Sequence, residues 1–230
     1  KLNQDFYNSF AAEFSESRAA INPGIRRALA MLNLASVLDV GCGDGRVSRV
    51  LPERCNYVGL DFSARLIGRA AGRGGQAQGG RGQGQAQGLP LQFVLADVSD
   101  PLPIATGAFP TLICFAVLHH LPERESFMRE LRRVVQSPDP VSGKPGGRLA
   151  LSVWQFTHSA RMRKKIVRDL GNGDYVLSWE RGGHGERFVH EVMEDEMKRL
   201  AHSASLSLVE VFRSDGRSND LSLYAILEAR

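Results

Sequence analysis

Val37 to Gly45 reads Val-Leu-Asp-Val-Gly-Cys-Gly-Asp-Gly, and no other stretch constrains the chain so strongly. An apolar, β-prone run (residues 36–40) enters it, and a stretch with helical potential (residues 46–51) leaves it. Glycines at the alternate positions 41, 43 and 45 let the backbone turn tightly and let a ligand approach where a Cβ would intrude. A helix opening at their end offers free N–H groups and a positive dipole end, suited to a carboxylate or phosphate. The spacing is Asp-x-Gly-x-Gly-x-Gly, with Asp39 on the strand, and differs from the Gly-x-Gly-x-x-Gly of dinucleotide-binding turns.

Four further segments follow in order. Tyr57-Val-Gly-Leu-Asp61 reads as a second strand ending in a carboxylate 16 residues after Gly45. An acid there can accept two hydrogen bonds from a ribose diol. Phe93-Val-Leu-Ala96-Asp97-Val98 reads as a third strand, Leu112 to His120 as a fourth strand with its loop, and Gly146 to Val153 as a turn and fifth strand. Together, over about residues 36 to 154, these segments resemble the motifs of the class I S-adenosylmethionine-dependent methyltransferases. The resemblance implies an α/β, Rossmann-like fold: a seven-stranded, mostly parallel sheet with an antiparallel last strand and helices on both faces. It implies S-adenosyl-L-methionine as cofactor and S-adenosyl-L-homocysteine as product. From the first motif the cofactor set takes Asp39, Gly41, Cys42, Gly43 and Gly45. From the later ones it takes Asp61 and Phe62, then Ala96, Asp97 and Val98 near the adenine, then Phe115.

At 230 residues and 43% hydrophobic, the chain can bury one full core, so a single domain over 1–230 is expected. No run of about 18 apolar residues is present, and the polar first residues lack a signal-peptide core. Three cysteines without Cys-x-x-Cys spacing suggest reduced thiols in a cytoplasmic protein, with no metal site. The net charge of +4 is compatible with an anionic partner but does not require one.

Phe6, Tyr7, Phe10, Ala11 and Phe14 recur at helical spacing over residues 4–16. In the resembled family such a helix lies over the cofactor pocket, so residues 1–35 are expected there. The Phe-Ser pair at 14–15 and Arg18 are similar to the start of the tRNA wobble-uridine carboxymethyl methyltransferases. That resemblance implies that Arg18 reaches the cofactor's carboxylate through a charge-assisted bond; the alternative is a solvated arginine at a helix end. Pro23 and Gly24 open a second helix over residues 25–34. Ser63 is placed to cap a helix over residues 64–71. Residues 72–88 hold 8 Gly, 5 Gln, 2 Arg and 2 Ala, with no larger apolar side chain, and read as a mobile surface loop.

His119 and His120 fall where the fourth strand opens toward the cofactor. His119 can be read as a general base near neutral pH or as a pocket-shaping ring, and His120 as the latter, bonded to backbone. Residues 161–168 carry five positive charges in eight residues: an RNA backbone contact, or an exposed helical face. Residues 174–190 hold Trp179, Arg181, Arg187, His184 and His190 among three glycines, and read as a loop rich in groups that bind anions and stack on bases. The resembled family places its substrate-recognition elements after the fifth strand, which implies that residues 155–205 are that insertion here. The wobble-uridine enzymes resemble this chain again at Arg187, Phe188 and His190, which implies that Arg187 and His190 face an acidic acceptor. It departs from them at Ser178, at Phe109-Pro110 and at Asn219-Asp220-Leu221. The last two strands are expected at residues 206–212 and 221–227.

A carboxylate acceptor is already ionised at neutral pH and needs no base. Three readings follow: a methyl ester formed on a modified wobble uridine of tRNA, methylation of an oxygen or nitrogen of a small molecule, and a cofactor-binding subunit without activity. A small activator protein is a possible partner under the first, and no membrane under any of them.

Overall fold

The central strands are apolar on both faces, which demands cover on both. In β1 (Ser36–Val40) Val37 packs to one side and Leu38 and Val40 to the other, all fully buried. In β4 (Thr111–Phe115) Leu112 and Cys114 share the side of Leu38, while Ile113 and Phe115 share that of Val37. The computed structural model describes residues 1–18, 20–79 and 91–230. β1 runs parallel to β2 (Asn56–Asp61) and β4, β2 to β3 (Gln92–Leu95), and β4 to β5 (Arg148–Trp154).

Three strands, β6 (Ile166–Gly171), β7 (Asp174–Trp179) and β8 (Gly185–His190), make a separate antiparallel sheet. The chain then returns to the main sheet through β9 (Leu206–Ser214) and β10 (Ser222–Ala229), and β10 lies antiparallel between β5 and β9. The order is β3-β2-β1-β4-β5-β10-β9, the expected Rossmann-like methyltransferase arrangement. Phe127, Met128 and Leu131 of one helix (Arg124–Val134) and Met197 and Leu200 of another (Glu194–Ser203) cover one face; Ile25, Ala28 and Leu29 (helix Pro23–Leu29) cover the other. Among the described residues no helix is long and apolar enough to cross a membrane. All three cysteines are buried free thiols, Cys55 included.

Several boundaries differ from expectation. The single helix over residues 4–16 is two, α1 (Leu2–Ser9) and α2 (Ala11–Ser17), because Phe10 leaves helical geometry at φ −110°, ψ 25°. The helix after the glycines is a 3₁₀ turn, Arg46–Val50, and Leu51 is already extended, as a residue before proline prefers. The helix after Ser63 runs to Gly79, past the expected loop start at Gly72. The remainder of the expected loop lies outside the described residues. Residues 161–168 are not one helical face: a short helix (Ala160–Arg163) gives way to β6, where Ile166 and Val167 favour extended backbone and Arg168 stands on an exposed edge. Residues 174–190 are not a loop. They form the hairpin β7–β8, with Gly182 and Gly183 confined to its turn and Val176, Leu177 and Val189 buried between.

Candidate active site

A cavity of about 590 Å³ opens at the carboxyl ends of β1, β2 and β4. Its floor is the glycine turn. Gly41 sits at φ +76°, and a Cβ there would stand 2.2 Å from Val117 Cγ2. Gly43, at φ +58°, faces open space, where a side chain would fill the cradle. The Gly41 and Cys42 N–H groups donate to the Leu60 carbonyl at 2.8 and 2.9 Å, which ties the turn to β2. Gly45 lies behind the turn against the Phe93 ring, outside the cavity lining.

At the end of β2, Asp61 accepts from Gly43 N at 2.8 Å through Oδ2 and from Ser63 N at 2.8 Å through Oδ1. Burial pushes its carboxyl up to about 6, against the pull of those N–H groups. Ser63 Oγ caps the following helix at Leu66 N, 3.3 Å. Phe62, Val98 and Phe115 line the apolar walls, and Asp97 stands on the wall beyond β3. Asp39 and Ala96 do not border the cavity. Asp39 is sealed beneath the turn, accepts from the Tyr57 hydroxyl at 2.8 Å, and is pushed up to about 7 by burial.

α1 forms the roof and is pinned on both sides. Gln4 donates to Asp97 Oδ2. Asn3 accepts from Phe188 N at 2.8 Å and donates to the Phe188 and His120 carbonyls at 3.1 and 3.0 Å. Arg18, after α2, lines the cavity with its guanidinium 5.4 Å from the Phe14 ring and 5.2 Å from the Trp154 ring. Burial lowers it to about 10, and the nearby charges of Arg46 and Arg187 add to the shift.

Next to this cavity lies a second polar cluster. Arg187, 2% exposed and outside the cavity lining, stands 4.6 Å from the Trp154 ring, 5.2 Å from Phe6 and 5.5 Å from Trp179. Its Nε and Nη1 have no hydrogen-bond partner among the described residues. Aromatic faces help hold a cation out of water, but they leave its N–H directions unspent. His120 lines the cavity: Nδ1 donates to the Phe188 carbonyl at 2.9 Å, which leaves Nε2 to accept from the Tyr7 hydroxyl at 2.8 Å. Burial, then Arg187, lowers its pKa to about 3, so the ring is neutral. His119 is fully buried outside the cavity lining, 5.0 Å from the Trp154 ring and 4.3 Å from His120, with neither nitrogen bonded. Burial, then His120 and Arg187, holds it well below the usual histidine range. A base so depressed takes a proton poorly at neutral pH.

His190 is not brought to this cluster. It bonds Asp174 through Nδ1 at 2.6 Å and Glu196 through Nε2 at 2.8 Å, so it ties β8 to β7 and to the helix after it. Trp154, Phe6, Tyr7 and Arg46 complete the surroundings, and sequence reasoning had assigned none of them to the site. Only the helical spacing of the N-terminal aromatics had signalled part of it.

The methyltransferase domain family matches residues 38–151. A relative from Encephalitozoon cuniculi, named as a methyltransferase, is 30% identical over 97% of this chain and 93% of its own. A ubiquinone biosynthesis O-methyltransferase of Chromobacterium violaceum is 27% identical over 75% of this chain and 64% of its own. A tRNA (carboxymethyluridine(34)-5-O)-methyltransferase of Xenopus tropicalis is 28% identical over 69% of this chain, which spans only 22% of it. Two solved structures share the fold. A methyltransferase in complex with the Haloferax volcanii Trm112 methyltransferase activator superposes with a TM-score of 0.66 at 16% identity, over 98% of this chain and 96% of that one. A Burkholderia thailandensis 1,6-didemethyltoxoflavin-N1-methyltransferase, with its substrate and S-adenosylhomocysteine bound, superposes at 0.63 and 17% identity, over 99% of this chain and 87% of that one.

Proposed function

Because this chain belongs to the methyltransferase domain family and is S-adenosylmethionine-dependent, we propose that it methylates a carboxylate, and that the acceptor is a carboxymethylated wobble uridine of tRNA. The residues of the cavity fit the cofactor. Asp61 offers a carboxylate to the ribose hydroxyls, the open cradle at Gly43 admits the ligand against backbone, Phe62, Val98 and Phe115 offer apolar faces to the base, and Arg18 offers a cation to the amino-acid end. When bound, the cofactor supplies a methyl group on a sulfonium, which leaves readily.

The observation that carries the acceptor reading is Arg187. A guanidinium buried among Phe6, Trp154 and Trp179 with two unspent donors lies behind the cavity wall at Trp154, and is suited to hold an anion that passes Trp154 without protonating it. Neither neighbouring histidine is a competent base, and an ionised carboxylate needs none: its oxygen takes the methyl and no proton moves. What the chain provides is alignment, which can supply about 7–11 kcal/mol of barrier lowering. The name of the Xenopus tropicalis relative and the exposed cations Arg161, Arg163 and Lys164 favour tRNA. A single nucleotide turned out of its stack would meet the aromatic walls here as such bases do elsewhere.

A second reading, a small-molecule O-methyltransferase, draws support from the aromatic lid of α1 and from the Chromobacterium violaceum relative. Nothing favours a subunit without activity. Labelled methyl transfer to unfractionated tRNA, alone and with a small activator protein of the Trm112 kind, separates the readings. The proposal expects incorporation that mild alkali releases, as an ester requires. No incorporation in either arm, with cofactor binding intact, would contradict the tRNA acceptor.

A further inference from the structure

Arg46 is the first residue after the third glycine, and it lines the same cavity as Arg18 beside Gly41, Cys42, Gly43 and Asp44. Its Nη1 donates to two carbonyls of the segment that carries Arg18, those of Arg18 itself and of Ala20, each at 3.3 Å. Both bonds are long, and both go to neutral acceptors. The nearest acid in sequence, Asp44, is ion-paired with Arg49 at 3.2 Å. Among the described residues, neither Arg18 nor Arg46 has a carboxylate within ion-pair distance.

Two half-buried guanidiniums that face one cavity repel each other, and a structural clamp alone would not call for charge there. A neutral donor could hold two carbonyls; a second cation is useful where an anion is to be held. We propose that Arg46 positions Arg18 through its backbone and, with it, forms a two-arginine reader for the carboxylate of the cofactor's amino-acid end. The glycine turn thus does two jobs: its backbone leaves room for the ligand, and its first following side chain fixes the segment that carries the second cation. Burial depresses both arginines, and the repulsion of Arg46 deepens the shift at Arg18, a cost that a bound carboxylate relieves.

The test is calorimetric binding of two probes that differ in the amino-acid end: S-adenosylhomocysteine, which carries the carboxylate, and 5′-methylthioadenosine, which lacks it. Arg46→Ala should weaken the first by roughly 10- to 100-fold, as loss of a charge-assisted bond does, and the second by less than about threefold. Arg18→Ala should behave alike. Arg46→Lys, which retains charge but loses the planar guanidinium fork, should show a smaller loss in the same direction and serves if the alanine variant fails to fold. Equal losses for both probes, or no loss for either, would assign Arg46 a purely structural role and overturn the proposal. No acceptor enters the experiment, so its outcome leaves the tRNA reading untouched.

Discussion

Arg187 and Asp61 carry the two charges on which the account depends, and they are held in opposite ways. Arg187 is charged where water does not reach, with aromatic rings for neighbours and donors left over. Asp61 is bonded at both oxygens by backbone N–H groups, yet burial still raises it to about 6. The ribose hydroxyls need its ionised form as acceptor. Affinity for S-adenosylhomocysteine should therefore fall as pH drops through about 6, while Asp61→Asn should bind more weakly with a flat profile, measured by calorimetry from pH 5 to 8. Without ligand the sign reverses. A raised carboxyl contributes stability that is full below its unfolded value, about 3.9, and lost as pH rises through about 6. Asp61 was legible from its place at the end of an apolar strand. Trp154 was not, because a tryptophan at a strand end looks like core until two arginines and two histidines are seen around it.

His190 shows what an element-scale contact looks like when it imitates a catalytic one. It joins β8 to Asp174 of β7 and to Glu196 of the helix Glu194–Ser203, while Arg124, at the start of the helix Arg124–Val134, holds the other oxygen of Glu196 at 3.0 Å. Burial opposes a charge on the ring, but the bonds to Glu196 and Asp174 outweigh it and raise His190 above the ordinary histidine value. Its contribution to stability is full below that ordinary value, about 6.5, and is lost as pH rises through the raised one. His190→Gln should thus cost about 1 kcal/mol near pH 6 and less near pH 9, read as the gap between wild-type and variant melting temperatures. Cofactor affinity should not change. The hairpin carrying His190 was hidden by Gly182, Gly183 and Gly185, which outweighed the β-prone residues on either side; only tertiary pairing shows that the glycines occupy the turn and the first residue of β8. The break at Phe10 was hidden for a related reason, since both short helices keep the same apolar spacing.

Across the whole molecule the sheet was legible because the motifs over residues 36–154 fall in the order of the resembled family, whose topology they imply. The proposed acceptor side was less so. It is assembled from α1, Trp154 at the end of β5, and Arg187 in β8, segments that are far apart in sequence and share no local pattern. The proposed role of this assembly is to hold an acceptor's anion. The most direct test compares wild type with Arg187→Met for alkali-releasable methyl transfer to tRNA, S-adenosylhomocysteine affinity and melting temperature. Replacing an unpaired buried cation by an apolar side chain should leave cofactor affinity unchanged and raise stability, by about 1–4 kcal/mol, while transfer falls at least a hundredfold. Transfer at wild-type rates in a folded Arg187→Met protein would contradict the claim.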